Sequence, residues 1–86
     1  MIKLYSKLNT LDLHGESSDI AKVLINEFIE DNYKMKNNEI IIIHGLGTKK
    51  LLHTTQEVLK KNKYVDDFKL DNFNSGQTIV KLKVKK

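Results

Sequence analysis

The sequence predicts an α/β fold, a two-layer β-α-β-α-β-β sandwich in which two helices pack on a four-stranded mixed sheet. Three observations predict it: an isoleucine run at 40–43, two segments whose apolar residues recur at helical spacing, and an alternating segment near the C-terminus. The chain has 86 residues, of which 40% are hydrophobic. We therefore expect one domain spanning residues 1–86, with its core over about residues 8–84.

The first half of the chain predicts a strand and a helix. Residues 8–13 are expected to form a short strand that ends at a His-Gly pair. Ser17 or Ser18 then provides an N-cap, and the helix is expected to run to about Lys34. The apolar stripe of this helix that should face the core is Ile20, Val23, Leu24 and Phe28.

The second half predicts a strand, a helix and a hairpin. The isoleucine-rich segment 39–43 is typical of a strand that is buried on both faces in a parallel sheet with helices around it. Thr48 can cap the next helix. Residues 64–70 and 77–84 predict two antiparallel strands joined by an Asn-Ser-Gly turn. The inward-facing positions of the second helix are expected to be Leu51, Thr55, Val58 and Leu59.

The charge is unevenly distributed. All fifteen basic residues are lysines, and the formal net charge is +4. Residues 1–33 carry three lysines and six acidic residues, whereas residues 34–86 carry twelve lysines and five acidic residues. A basic half indicates an anionic partner, with nucleic acid as the first candidate. The simpler alternative is that the lysines only keep the surface soluble, and the absence of arginine argues against bidentate recognition of phosphates.

The composition also bears on location. The chain has no cysteine, which excludes disulfides and thiolate zinc sites. Its longest apolar run covers residues 40–43, and its first ten residues lack the apolar stretch of a signal peptide. These features favour a cytoplasmic protein that does not contact membranes, and they leave the oligomeric state open.

Two predicted strands end in the same way. Each is followed by His-Gly and then by a helix, with LDLHG at 11–15 and IHGLG at 43–47. The carboxyl ends of parallel strands line the ligand crevice of open α/β sheets. If these two strands are parallel, Asp12, His14 and His44 lie near one another.

The first of these turns could carry acid–base chemistry. Asp12 and His14 are two residues apart in a strand, so they point to the same face, opposite Leu11 and Leu13. A carboxylate beside an imidazole can orient it, and histidine suits general acid–base work on a phosphodiester or a ribose 2′-OH. The alternative is structural, with Asp12 capping a turn and His14 carrying no chemistry.

The second turn, HGLGTKK at 44–50, is a candidate phosphate site. Gly45 and Gly47 let the main chain approach a ligand, and the helix start offers N–H groups to an anion. Lys49 and Lys50 oppose the helix dipole, at a cost of about 0.3–1 kcal/mol each, unless an anion docks between them. The alternative is that the lysines are solvated and the glycines only shape a tight turn.

The remaining candidates carry less support. His53 is expected to be a surface residue. A zinc site built from the three histidines and Asp12 lacks metal-ligand spacing, whereas Asp12 with phosphate oxygens could hold a magnesium ion. Phe73, in the loop before the last strand, either packs under that loop, which is the favoured interpretation, or stacks on a base.

The motifs together resemble the Smr (small MutS-related) domain. LDLHG at 11–15, IIHGLG at 42–47, an amphipathic helix and the final segment GQTIVKLK at 76–83 follow that family's pattern from about residue 8 to residue 83. Smr domains occur alone and at the C-terminus of the second bacterial MutS paralogue.

The resemblance implies endonuclease activity on DNA or RNA and, for some bacterial members, cleavage of mRNA on collided ribosomes. It assigns cleavage to the LDLHG element, here Asp12 and His14. It assigns substrate binding or loop shape to the HGxG element. The phosphate-binding set predicted here is His44, Gly45, Gly47, Thr48, Lys49 and Lys50.

Three functions are consistent with these residues. An endonuclease would use His14 as general base or acid, with Asp12 orienting it or holding a metal. RNA cut through its 2′-OH needs no metal, whereas DNA cleavage by water is expected to need a divalent cation such as magnesium. A binding module would instead grip a nucleic acid or the ribosome through the basic half, with an affinity that falls as salt rises. A protein-interaction domain is the third alternative.

Overall fold

The computed structural model describes residues 9–46 and 49–84. Its elements follow the predicted order, and the α/β class is confirmed. β2 coincides with the expected strand at 39–43, and the bounds of the other strands lie within one or two residues of expectation. The elements are β1 (Asn9–Asp12), α1 (Ser18–Lys34), β2 (Glu39–Ile43), α2 (Lys50–Lys61), β3 (Val65–Leu70) and β4 (Gln77–Leu82).

The four strands form one mixed sheet in the order β1-β2-β4-β3. β1 pairs with β2 in parallel, and β4 pairs antiparallel with both β2 and β3. The parallel start and the antiparallel C-terminal hairpin are therefore as predicted. Because β4 inserts between β2 and β3, β2 and β4 are central strands and β1 lies at an edge.

One side of the sheet packs against both helices and forms the core. Ile40 and Ile42 of β2 point to this side, and their partners on β4 are Val80 and Thr78. All four side chains are buried. The buried apolar cluster consists of Leu13, Ile40, Ile42, Val80 and Leu82 from the sheet region, Ala21, Ile25 and Ile29 from α1, and Val58 and Leu59 from α2.

The opposite side of the sheet, which no described helix covers, is its outer face. Ile41 lies on it, opposite Thr10 of β1 and Ile79 of β4. Ile41 is nonetheless buried, whereas Glu39 and Ile43 on the same face are half-buried, so the predicted burial of β2 on both faces holds at Ile41 alone. The expectation of helices around both faces is wrong, since the described helices pack on one face only. The described residues of the outer face are Thr10, Asp12, Glu39, Ile41, Ile43, Asp67, Lys69, Gln77, Ile79 and Lys81.

Helix α1 begins and ends where the sequence predicts. The Ser17 hydroxyl accepts a hydrogen bond from the main-chain N–H of Ile20 at 3.3 Å, which satisfies one of the free donors of the first turn. Asp19 lies in that turn, where its charge suits the helix dipole. At the other end Lys34 pairs with Glu30, one turn earlier, at 3.2 Å.

The core-facing stripe of α1 differs from the predicted one. Ala21, Ile25 and Ile29 are fully buried, whereas Ile20 is 50% exposed and Val23 is 54% exposed. The prediction was therefore wrong for those two residues. Helical spacing permits two adjacent stripes in this segment, and the buried one is centred one residue later. The other two members of the predicted stripe, Leu24 and Phe28, pack against the core at its margin.

The buried face of α1 ends at a polar residue, Asn32, which the apolar periodicity does not reveal. Asn32 is 1% exposed, one turn beyond Ile29. Its side-chain oxygen accepts hydrogen bonds from the amides of Asn9 and Asn37, and its own amide donates to the carbonyl of Phe28 at 2.8 Å. Because these bonds satisfy the polar atoms, an amide occupies a position where the periodicity alone would favour an apolar residue.

Helix α2 begins without a side-chain cap. Its N-cap position is Lys49, which forms no capping hydrogen bond, so the predicted Thr48 cap is replaced by a start one residue later. Gly47 and Thr48 themselves lie outside the described residues. The inward face is as predicted, with Thr55, Val58 and Leu59 buried, and Thr54 is buried beside them.

From the buried face of α1 we predict how two substitutions change the free energy of unfolding. Ile25→Ala is expected to lower the free energy of unfolding by about 2–5 kcal/mol, because it opens a cavity in the core. Ile20→Ala removes the same atoms from an exposed site of the same helix and is expected to change it by about 0.5 kcal/mol or less. Urea unfolding followed by circular dichroism measures both. Equal losses in the two variants would contradict the observed stripe.

Candidate functional site

Both His-Gly turns open at one edge of the sheet. In the parallel register Asp12 lies beside Ile43, the last residue of β2. The N–H of Leu13 donates to the carbonyl of Ile43 at 2.8 Å and extends the pairing past the end of β1. The residues that follow, His14-Gly15 and His44-Gly45, therefore leave the sheet side by side, as the sequence predicts for the carboxyl ends of parallel strands.

The first turn is exposed and is shaped by Asp12. One carboxylate oxygen of Asp12 accepts a hydrogen bond from the main-chain N–H of His14 at 2.9 Å. Gly15 follows with φ at +82°, in the left-handed region that glycine enters without strain. Within the described residues, the hydrogen bond of Asp12 thus goes to the main chain of His14 and not to its imidazole. This contact supports the structural role for Asp12, and His14 itself is exposed.

The second turn is tied to the β3–β4 loop. The carbonyl oxygen of Gly76 accepts hydrogen bonds from the N–H groups of both His44 and Gly45, each at 2.9 Å. Gly45 has φ at +85°, and a Cβ built on it would meet no heavy atom within 4 Å. The glycine is therefore required by its main-chain conformation, and the space in front of it is open.

His44 lies inside this edge of the protein. Its side chain is 3% exposed, and its Nε2 atom lies 2.9 Å from the hydroxyl of Thr78 on β4. Burial lowers the pKa of His44 below its usual value, and a hydrogen bond with the carbonyl of Gly45 opposes that effect in part. A buried ring that favours its neutral form suits fixing the turn better than touching a phosphate.

The basic residues at the start of α2 are exposed. Lys49 and Lys50 stand at the first turn of the helix, beside the second His-Gly turn. His53 is also exposed, as the sequence predicts. With Lys60, Lys49 and His53 share one outward stripe, since positions four and seven residues apart fall on the same helix face. Glu57 is exposed on the same stripe between His53 and Lys60, so the lysines of α2 are concentrated at the two ends of the helix.

The placement of Phe73 in the loop between β3 and β4 is the feature that the sequence prediction missed. Asp71 accepts hydrogen bonds from the N–H of Phe73 and from the side-chain amide of Gln77, both at 2.8 Å. These bonds hold the pKa of Asp71 below its usual value. Phe73 itself is 99% exposed, so the expectation that it packs under the loop was wrong. The cluster of Asn, Ser and Gly at 72–76 signalled a turn but gave no sign of how the aromatic ring is placed.

Across residues 9–46 and 49–84, no group of three or more His, Asp or Glu side chains is placed to hold a metal ion. Among the same residues, no helix has the length and apolar character needed to cross a membrane.

Comparison with known proteins identifies the family. The family model of the Smr domain matches residues 11–83 of this chain. The chain belongs to the Smr domain family. The resemblance drawn from the LDLHG and HGLG motifs is therefore confirmed.

The relatives of this Smr domain include much longer proteins. Endonuclease MutS2 of Clostridium acetobutylicum is 32% identical over 85 residues, which cover 95% of this chain and 11% of that protein. Endonuclease MutS2 of Geobacillus sp. is 40% identical over 76 residues, 85% of this chain and 10% of that protein. The chain thus spans about a tenth of the length of these relatives.

Two solved structures share the fold. The Smr domain of Thermus thermophilus MutS2 superposes with a TM-score of 0.85 at 24% identity, covering 88% of this chain and 99% of that one. YdaL, a stand-alone small MutS-related protein from Escherichia coli, superposes with a TM-score of 0.78 at 18% identity, covering 88% of this chain and 65% of that one. At these identities the likeness concerns the fold.

The buried His44 makes a prediction about pH. Its folded-state pKa lies below the value of 6.5 for an unperturbed histidine, so the unfolded chain binds the proton more readily. The resulting stabilisation is present above pH 6.5 and is lost as the pH falls below it, with a slope of at most about 1.4 kcal/mol per pH unit. In urea unfolding at pH 7.5 and pH 5.5, His44→Gln should lose less stability on acidification than the wild type. His53→Gln is the matched control, and an unchanged loss in His44→Gln would contradict the prediction.

Proposed function

We propose that this Smr domain is a nucleic-acid endonuclease whose site lies at the shared edge of β1 and β2. The observation that carries the proposal is the register of Asp12 beside Ile43, which puts the DxH turn and the HGLG turn next to each other. The relatives named Endonuclease MutS2 support the reaction class. They are about ten times longer than this chain, so the transfer of their activity to the isolated domain is part of the proposal.

On RNA, the exposed His14 acts as a general base. It takes the proton of the 2′-OH, the 2′-oxygen forms a bond to phosphorus, and the bond from phosphorus to the 5′-oxygen breaks. The 5′-oxygen leaves with a proton from water, which gives a 2′,3′-cyclic phosphate and a 5′-hydroxyl. Asp12 fixes the turn that presents His14, through its hydrogen bond to the main chain. On DNA, which lacks the 2′-OH, water would be the nucleophile, and Asp12 is the carboxylate that would hold a divalent cation, which would supply Lewis-acid activation of the phosphate.

The phosphate is held mainly by the start of α2. The N–H groups of His44 and Gly45 already donate to Gly76, so they are not free for a ligand. Lys49 and Lys50 are exposed beside that turn, and Lys49, at the N-cap position, forms no side-chain capping hydrogen bond. An anion there would interact favourably with both lysines and with the helix dipole.

The second candidate is a nucleic-acid-binding module without chemistry. It is favoured by the contact that Asp12 makes, because a carboxylate that serves only the main chain of His14 needs no reaction to explain it. In that case the lysines at the start of α2 do the binding and another protein cuts. mRNA on the ribosome stays a prediction of the family resemblance under either function.

Cleavage assays separate the two candidates. Wild-type protein is expected to cut end-labelled RNA or nick supercoiled plasmid, and His14→Ala and Asp12→Ala are each expected to slow cutting by about 100-fold or more. EDTA should stop cutting that depends on a metal and spare cutting through the 2′-OH. If the wild type cuts nothing, or His14→Ala cuts as fast, the endonuclease proposal fails and the binding module remains.

A matched variant distinguishes the charge of Asp12 from its turn contact. Asp12→Asn keeps a side-chain oxygen that can accept the hydrogen bond from His14 but removes the charge. If Asp12 only shapes the turn, Asp12→Asn should cut at nearly the wild-type rate while Asp12→Ala does not. If the carboxylate stabilises a protonated imidazole or holds a metal, both variants should be slow.

The lysines make a separate prediction about binding. The double variant Lys49→Ala/Lys50→Ala should weaken binding of nucleic acids of different sequence about equally. It should also reduce the slope of log affinity against log salt by about 1 to 2, because two phosphate contacts are lost. Lys22→Ala/Lys34→Ala removes the same charge from α1 and serves as the control. Equal effects of the two double variants, measured by fluorescence anisotropy, would show a response to net charge alone.

A further inference from the structure

The ring of Phe73 is displayed to solvent by an ordered loop. The other phenylalanines, Phe28 and Phe68, pack against the core, whereas Phe73 is 99% exposed. A single exposed apolar residue is ordinary in a soluble protein. The surroundings of Phe73 therefore decide whether it has a function.

The first feature of these surroundings is a loop whose main chain is held by hydrogen bonds. Besides its bonds to Phe73 and Gln77, Asp71 donates its own N–H to the carbonyl of Gln77 at 3.1 Å. Asn74 accepts from the N–H of Gly76 at 3.0 Å, and its carbonyl accepts from the N–H of Gln77 at 3.2 Å. These bonds fix the main chain on both sides of Phe73, so a ligand that contacts the ring meets a site that is largely pre-organised.

The second feature is a depression beside the ring, of about 330 Å³. Ile41 and Ile79 of the outer face form its apolar floor. Lys69 contributes a cation, Asp71 contributes a carboxylate, and Asn72 and Gln77 contribute amides, of which that of Gln77 is already bonded to Asp71 and Asn74. An apolar floor with a few polar groups at its rim is the usual make-up of a small-ligand site.

The third feature is the position of the depression relative to the proposed cleavage site. Asp12, Ile43 and Gln77 form one row across β1, β2 and β4 on the outer face. Adjacent strands lie about 4.8 Å apart, so Gln77 at the rim is about 10 Å from Asp12 along this row. The depression and the DxH turn therefore share one face of the sheet and one end of it.

We propose that this depression binds an unpaired base of a single-stranded nucleic acid, with Phe73 stacking on the base and Lys69 facing the backbone phosphate. The inference rests on the proposed function and names its substrate class. A base offers a flat π-face to the ring and polar edges to the amide of Asn72 and the carboxylate of Asp71, and the phosphate of its nucleotide complements Lys69. A base that is paired within a duplex cannot enter the depression. The strand then runs along the outer face toward Asp12 and His14.

The absence of tryptophan from the sequence makes the proposal directly measurable. Phe73→Trp introduces a single tryptophan, and the added substitution Asp12→Ala keeps the nucleic acid intact. Titration with a single-stranded oligonucleotide should quench the tryptophan emission, because a stacked base quenches indole fluorescence. The same oligonucleotide annealed to its complement should quench far less. Val23→Trp, on the exposed side of α1, is the matched control and should respond to neither.

Affinity supplies a second readout. In the Asp12→Ala background, Phe73→Ala should weaken binding of the single strand by about 5- to 150-fold, while Phe73→Trp retains it. Binding of the duplex should change little. If Phe73→Trp is not quenched, if Phe73→Ala binds the single strand normally, or if single strand and duplex respond alike, the proposal is overturned, and a protein partner becomes the better explanation of the exposed ring.

The two proposals fail in different ways. Quenching by single strands together with a wild type that cuts nothing would leave the base site standing and remove the endonuclease. Cutting by the wild type without quenching in Phe73→Trp would leave the endonuclease standing and remove the base site.

Discussion

The parallel pairing of β1 with β2 is the constraint on which the candidate site depends. It aligns Asp12 with Ile43, so two turns that are distant in sequence leave the sheet together. A slip of one residue would turn Leu11 and Leu13 away from the core and Asp12 into it. Since Leu13 is fully buried, the hydrophobic effect that stabilises the fold also fixes which side chains stand at the edge. The chemistry proposed for Asp12 and His14 thus depends on the same register as the core.

A second link joins this edge to the C-terminal hairpin. The carbonyl of Gly76 holds the N–H groups of His44 and Gly45, and Thr78, two residues later, holds the ring of His44. A Cβ on Gly76 would lie 3.2 Å from the side chain of Asn74 and 3.3 Å from that of Leu46, so the loop and the turn are closely packed. The loop that displays Phe73 is therefore tied to His44 and Gly45 by hydrogen bonds and close packing.

Local patterns predicted those features that local residues determine. The isoleucine run gave β2, Ser17 gave the start of α1, and the two His-Gly turns were expected at one edge. The features that the local patterns did not predict depend on contacts between residues distant in sequence. The predicted stripe of α1 was one residue away from the buried one, which includes the polar Asn32. Asn32 can be buried because amides from other elements, Asn9 of β1 and Asn37 near β2, donate hydrogen bonds to it. The burial of His44 depends on β4 lying next to β2 in the sheet. The apolar periodicity of the two strands does not predict that they are neighbours.

The same topology explains why two similar His-Gly turns have different properties. β1 is an edge strand, so the turn after it has a described neighbour on one side and His14 stays exposed. β2 is a central strand, and the start of β4 lies against the turn after it, so His44 is enclosed and its pKa is lowered. A histidine that must exchange protons with a substrate needs access, whereas one that fixes a loop benefits from burial and a constant charge state. The position of each strand in the sheet therefore favours His14 for chemistry and His44 for support, although the two turns look alike in the sequence.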